Sequence, residues 1–388
     1  MRLAILTTEY PPFTPYDGGI GTLYAALVPK LAELGQDVHV FALSHDRDAV
    51  EDHGDVRLYR LRPANRRIGS YLEPVAWSAA ATRAVRRHGP FDLVWAPEWF
   101  GGASAYSRRR DAGPLVTQLC ASMVQVTELA GGWPRSLPRR IDHRVQASLE
   151  RRQAERSDAL IAQSGAVLEW TGRLWDIAEL PVRVLPSVLE VAKTRSLAEG
   201  RVPDDLPEAR PRVVFFGRLE RLKGADVLVQ AMSRVWEKFP AASLVMLGEG
   251  REDTARRLRE LAGSSAEQLH LLGHRTGSDL LAAVRAADVV ALPSRWENFA
   301  LAALESMALG RATVLTTAGG APEFCNDGID ALLVPPGDAE SLGFAIRRLL
   351  ESTELRERLG REAARAAEQY DVAAVAPRYL SYFEELVA

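Results

Sequence analysis

Glu297 and Glu305 stand eight positions apart in SRWENFALAALESMALG, one ahead of a helical stretch and one inside it. If the stretch is helical throughout, a rise of about 1.5 Å per residue separates the two carboxylates by roughly 12 Å. That is too wide for two groups acting on one atom, as the carboxyl pair of a glycosidase does at about 5 to 10 Å. It suits two ends of one long ligand. A nucleotide sugar has that form: a sugar, a pyrophosphate, then a ribose. The helix N-terminus between the glutamates would offer the pyrophosphate the backbone amides of Asn298, Phe299, Ala300 and Leu301. Glu305 would accept from the ribose and Glu297 from the sugar. Singly, Glu297 is an acid favouring a helix dipole and Glu305 an exposed helix position. Neither reading explains the pair.

A second group of residues supports the same chemistry. In RVVFFGRLERLKG a buried strand is followed at once by Arg218 and Lys223. Two cations beside a glycine-opened helix suit a diphosphate. Lysine is scarce: of 48 Lys and Arg residues, only Lys30, Lys193, Lys223 and Lys238 are lysines. A loop lysine five residues after Arg218 is therefore hard to dismiss as incidental charge.

The elements that must position these groups alternate. RLAILTT, DVHVFAL, DLVWA, PLVTQLC and ALIAQS read as buried strands with helices between them, the first helix being GIGTLYAALVPKLAELG. The rhythm pauses at residues 191–210, polar and proline-bearing, which read as a linker. It resumes with RVVFFG, ASLVMLG, LHLLG, DVVALPS, ATVLTT and ALLVPP. Apolar strands separated by helices indicate parallel sheets covered on both faces. The expected organisation is a Rossmann-like domain over 1–190, a linker over 191–210, a second Rossmann-like domain over 211–370 and a terminal helix over 371–388. Ligands of such sheets bind at the carboxyl ends of the strands.

Bulk properties agree. The chain of 388 residues is too long for one ordinary core, and 47% hydrophobic with 26% charged residues describes a globular protein. A net charge of -3 gives no support for nucleic-acid binding. Cys120 and Cys325 form no metal spacing or disulfide framework, which fits a reducing cytoplasmic compartment. No apolar run approaches the ~20 residues of a membrane-spanning helix.

These motifs carry a resemblance. FFGRLERLKG and SRWENFALAALESMALG are similar to the GRL…KG and glutamate–seven residues–glutamate segments of the family 4 retaining glycosyltransferases. GGAPEFCNDGIDALLVPPGD and PPFTPYDGGIGTLYAALVPKLAELGQDVHVFA match two further segments of that family. The resemblance implies the GT-B fold, α/β with two Rossmann-like domains facing each other across a cleft. It implies a nucleotide-diphosphate sugar as co-substrate, with UDP or GDP expected, and no cofactor or metal. Arg218 and Lys223 would stabilise the leaving diphosphate, Glu297 would contact the transferred sugar, and Glu305 the ribose. Gly19 would approach the diphosphate from the other domain, and His274 and Arg275 would lie near the base. The terminal helix would cross back onto the first domain. Cys120 stands where many members have a histidine that touches the donor sugar, which bears on donor preference. Ala300 stands where glycine is more common, a small change that would tighten the site.

Acceptor choice falls to the first domain. Glu9, Asp17, Glu98 and Glu128 lie at or near strand ends, with Cys120 beside them, and an acidic wall would suit a cationic acceptor such as an aminocyclitol or another natural-product intermediate. The arginine-rich WPRSLPRRIDHRVQASLERRQAERSD offers the alternative of anionic lipid headgroups, hence peripheral membrane contact and a glycolipid or polysaccharide acceptor. A nicotinamide-dependent oxidoreductase would need a glycine-rich turn after the first strand, where TTEYPP stands instead. A nucleotide-sugar epimerase would not carry this motif set. A non-catalytic nucleotide-sugar binding protein is the alternative of another class. Intact Arg218, Lys223, Glu297 and Glu305 argue against a decayed site, and a donor-hydrolysis assay separates it from an enzyme.

Overall fold

The computed structural model describes residues 1–14, 18–63, 72–108 and 113–388. They form two compact units, Met1–Val188 with Val372–Ala388, and Leu189–Asp371.

The first unit is built on eight strands: β1 (Arg2–Thr7), β2 (Asp37–Leu43), β3 (Ala49–His53), β4 (Val56–Leu61), β5 (Leu93–Pro97), β6 (Leu115–Leu119), β7 (Ala159–Ala162) and β8 (Val182–Val184). Their order is β3-β4-β2-β1-β5-β6-β7-β8. All neighbours are parallel except β3 and β4, an antiparallel hairpin at the edge. Sequence reading missed this hairpin because AVEDH is polar and mostly exposed, without the apolar run of a buried strand. Helices α1 (Gly19–Glu33), α2 (Glu73–His88), α3 (Met123–Leu129), α4 (Leu137–Glu155) and α5 (Gly165–Gly172) connect the strands. Helix α1 buries Leu23, Tyr24, Leu27, Val28 and Leu31, a 3.6-period stripe. The terminal helix Val372–Val387 lies in the same core, where Tyr379 and Phe383 meet Trp95 at ring separations of 5.6 and 5.3 Å. Trp77 of α2 anchors the opposite face of the sheet.

The second unit holds α6 (Val191–Ala198), β9 (Arg212–Phe216), α7 (Ala225–Lys238), β10 (Ser243–Leu247), α8 (Thr254–Ala262), β11 (Leu269–Leu271), α9 (Gly277–Arg285), β12 (Val289–Leu292), α10 (Leu301–Ala308), β13 (Thr313–Thr316), α11 (Ala321–Phe324), β14 (Leu332–Val334), α12 (Ala339–Glu351) and α13 (Thr353–Ala367). The strand order β11-β10-β9-β12-β13-β14 is wholly parallel. Every residue of β9 is buried, and each large apolar side chain so placed contributes about 1.5–3 kcal/mol.

The linker expected over 191–210 is not one. It contains α6, which packs on α9 and α10 inside the second unit. Its buried side is only Val191, Thr194 and Ala198, too small for an apolar stripe. Arg195 fixes it by polar bonds, from Nε to Ala308 O at 2.9 Å and from Nη1 to Glu368 at 2.6 Å.

Candidate functional site

In the second unit β9 and β12 are neighbours, and the chain leaves them toward opposite edges of the sheet. A sheet of this order opens a crevice at that point, beyond the strand ends. The loop after β9 brings Arg218 and Lys223 there, and the loop after β12 brings Ser294, Arg295 and Glu297. The loops touch. Gly224 has φ 73°, and a Cβ on it would stand 2.0 Å from Pro293 O, so only glycine fits. Lys223 Nζ donates to Glu297 Oε1 at 2.6 Å. Ser294 Oγ donates to the same oxygen at 2.6 Å, and Thr316 Oγ1 to Ser294 O at 2.6 Å. The Glu297 carbonyl accepts from Gly320 N at 2.9 Å beneath Gly319 (φ 73°). A small cavity of ≈ 60 Å³ lies beside the pair, lined by Lys223, Ser294, Glu297, Phe215, Leu292 and Ala300.

Helix α10 begins at Leu301, not at Asn298, so the stretch between the two glutamates is helical only in part. The 12 Å separation drawn from an unbroken helix does not apply. Asn298 and Phe299 precede the helix and Ala300 is its N-cap. The Leu301 amide donates to Phe299 O at 3.0 Å and is not an open donor. The Phe299 ring stacks on Phe324 at 4.8 Å, which ties this loop to α11. Glu305 sits in the second turn of α10. Part of the side chain reaches solvent, but close packing around the carboxyl lifts its pKa to about 7 through burial. No hydrogen-bond or ion-pair partner meets this carboxyl among the described residues. A buried acid without an internal partner is available to a ligand hydroxyl.

The remaining expected donor residues are placed unevenly. Arg218 is exposed, 3.4 Å from Glu220. His274 is exposed beyond β11, whereas the Arg275 guanidinium is already engaged by Asp205. Sequence reading missed Ser294, Asp226 and Arg295. Arg295 forms a bidentate pair with Asp226 at 2.7 and 2.9 Å. Burial raises the Asp226 pKa, but hydrogen bonding and charge from Arg295 outweigh it and hold the carboxyl below its usual value. Arg295 lies in the loop after β12 and Asp226 in the first turn of α7, and nothing local in the sequence pairs them.

The first unit corrects the acidic wall. Glu98 is fully buried, and both of its oxygens accept the Cys120 amide, at 2.7 and 2.8 Å. Burial, then the charge of Glu150, pushes its pKa to about 8. Glu150 of α4 is equally buried, raised to about 7 by burial, and accepts from Phe100 N, Met123 N and Gln146 Nε2 at 3.1, 2.7 and 2.7 Å. Glu9 lies over the start of α1 and accepts from Gly21 N at 3.2 Å. Gly19 is the exposed first residue of that helix. Glu128 is exposed in the last turn of α3. Asp17 lies outside the described residues. Cys120 is buried, and burial followed by the charges of Glu98 and Glu9 raises its thiol pKa well above normal, so it is no thiolate.

Two parallel-sheet Rossmann-like units define the GT-B class. Residues 17–192 match the glycosyltransferase family 4 description, and residues 199–366 match the glycosyl transferases group 1 description. The chain belongs to the group 1, family 4 glycosyltransferases. It is 29% identical to a D-inositol 3-phosphate glycosyltransferase of Saccharomonospora viridis, over 100% of this chain and 94% of that one. It is 28% identical to a glycogen synthase of Mycobacterium tuberculosis, over 94% and 89%. Among solved structures, the sucrose-phosphate synthase of Thermosynechococcus elongatus superposes with a TM-score of 0.79 at 23% identity, over 99% and 98% of the two chains. No helix among the described residues is long and apolar enough to cross a membrane.

Proposed function

We propose that this glycosyltransferase moves a sugar from a nucleotide-diphosphate sugar, UDP- or GDP-linked, to a hydroxyl of a small polar acceptor with retention of configuration. The observation that carries this reading is the Lys223–Glu297 pair at the β9/β12 crevice, with the unpartnered Glu305 carboxyl one helical stretch away. Lys223 and Arg218 neutralise the departing diphosphate, fixed charge that needs no reorganisation during reaction and no metal ion. Glu297 accepts from the sugar and Glu305 from the ribose. The anomeric C–O bond to phosphate breaks as the acceptor oxygen bonds to the same carbon on the same face. The acceptor proton passes to the departing phosphate oxygen.

The acceptor reading shifts from a cation to a polyol or cyclitol phosphate. Glu98 is a buried scaffold and Glu9 is held at a helix start, so the carboxylate wall that favoured an aminocyclitol loses two members. Arg135, just before α4, and Arg139 and Arg140 in its first turn precede Asp142, the first acid of that helix. The inositol phosphate named for relatives agrees with that charge. Two free buried cysteines fit a cytoplasmic setting.

A thermal-shift screen of UDP, GDP, ADP and dTDP, with and without magnesium, tests the donor. A ligand at 100 times its dissociation constant adds about 2.7 kcal/mol to a folded state it alone recognises. One nucleotide should raise the melt without metal, and Glu305→Ala and Arg218→Ala should abolish the shift. Silence from all four would remove the reading.

A further inference from the structure

We propose that Arg295 is a positioning residue that sets the place of Lys223 by gripping the chain around it, a role that rests on Lys223 being the diphosphate-facing cation. The Arg295 amide donates to Leu222 O at 2.7 Å, and its Nη1 to Arg221 O at 2.5 Å. Nη1 and Nη2 hold both oxygens of Asp226, in the first turn of α7, at 2.7 and 2.9 Å. On the far side of Lys223, Gly224 lies against Pro293 O so closely that a Cβ would come within 2.0 Å. Residues 221, 222 and 226 are thus bonded to the loop after β12, and residue 224 packs directly against it. Lys223 is the residue between these anchors, and that same loop supplies Glu297, which meets its ammonium at 2.6 Å.

One guanidinium therefore ties the two crevice loops into a single body. Its fork makes a bidentate bond to Asp226 while one nitrogen also reaches a carbonyl. A lysine has no fixed fork and cannot reproduce this. The side chains are 25% and 36% exposed, and it is the bidentate geometry that lifts the pair above an ordinary surface ion pair. A displacement of about 1 Å at a reacting site can cost roughly a hundredfold in rate, so a contact that touches no substrate still reaches the chemistry.

Four lysines in the chain make the test direct. The full chain and its Arg295→Ala, Arg295→Lys and Asp226→Asn variants are acylated briefly with an N-hydroxysuccinimide ester. Modification at each lysine is read by peptide mass spectrometry. Lys30, Lys193 and Lys238 serve as references in the same molecule. Labelling of Lys223 should rise several-fold in Arg295→Ala and in Arg295→Lys, and by less in Asp226→Asn, while the references stay level. Added guanidinium ion should reverse the change in Arg295→Ala and not in Arg295→Lys. Turnover of the nucleotide sugar should fall by roughly ten- to a hundredfold in Arg295→Ala, with partial return on adding guanidinium. Unchanged Lys223 labelling in both Arg295 variants would overturn the proposal. So would an equal rise at all four lysines in Asp226→Asn, which marks general loosening. If the unaltered chain turns over no nucleotide sugar while Lys223 alone responds to Arg295, the positioning stands and the proposed activity falls.

Discussion

Each unit has a crevice where the chain leaves neighbouring strands in opposite directions, β1 and β5 in the first, β9 and β12 in the second. The two use charge in opposite ways. At β9/β12 a lysine and a glutamate pair with exposures of 24% and 20%, and an ammonium with three donors spends one on Glu297. Near β5 and β6 the acids are Glu98 and Glu150, at 1% and 0% exposure. No cation pairs with them among the described residues; they accept backbone N–H groups and one amide side chain. The first arrangement keeps valences open for a ligand. The second uses them to hold loops. A carboxylate at a strand end is therefore a ligand contact or a scaffold according to what already occupies its oxygens.

The largest expected effect separates these roles. Lys223→Ala should lower transfer by roughly 10²–10³-fold, the usual cost of removing one fixed charge at a developing anion, and leave the denaturation midpoint almost in place. Glu150→Ala should do the reverse to stability. It strips two buried donors, on Met123 and Gln146, and the half-buried Phe100 amide of their acceptor, and about 3 kcal/mol is the expected loss by urea denaturation. If Glu150→Ala unfolds no more easily than Lys223→Ala, the scaffold role is wrong and the contrast between the crevices disappears.

The same contrast explains what the sequence revealed. Rossmann-like rhythm was legible because β1, β2, β9 and β10 are mostly apolar runs, buried along almost their whole length. Lys223 and Glu297 were legible because residue type and loop position both pointed at a ligand, though not that the two would meet. Glu98 was misassigned because a strand-end acid looks the same in sequence whether it faces solvent or is buried against a backbone amide. Helix α6 was taken for a linker because Arg195, not an apolar stripe, secures it. Arg295–Asp226 joins residues 69 positions apart, and no local pattern announces such a contact.

Proton uptake gives a smaller, graded test. Burial raises Glu98 to about 8 and Glu150 to about 7, above the unfolded value of about 4.3. Between the unfolded and folded values the native state binds more protons, so stability falls as pH rises. The slope is at most about 1.4 kcal/mol per pH unit for each carboxyl. Wild type should therefore lose stability from pH 5 to 8, and Glu98→Gln, which mimics the protonated acid, should flatten the upper end of that fall. Glu305, raised to about 7, adds to the same slope but should also govern nucleotide binding. Affinity for the diphosphate found in the screen should rise as pH passes 7 and become level in Glu305→Gln. A Glu98→Gln variant that alters the pH dependence of binding, with Glu305→Gln leaving it intact, would reverse the assignment of scaffold and ligand contact.

The smallest effect concerns backbone strain. At the β9/β12 crevice the left-handed position is filled by Gly224, whereas after β5 it is filled by Phe100 at φ 69°, the one non-glycine with positive φ among the described residues. A left-handed conformation costs an L-residue with a Cβ about 1–2 kcal/mol, and the Phe100 amide in that conformation donates to Glu150 at 3.1 Å. The ring, half-buried against the Trp77 cluster, offsets part of that cost. Phe100→Ala and Phe100→Gly both remove the ring, so their difference isolates the backbone. The glycine variant should be the more stable of the two by about 1 kcal/mol. In a Glu150→Ala background that advantage should shrink, because the amide no longer has the acceptor that holds it left-handed. An advantage of the same size in both backgrounds would mean that the strain is kept by the chain after β5 itself, and that Glu150 only accepts a conformation already made.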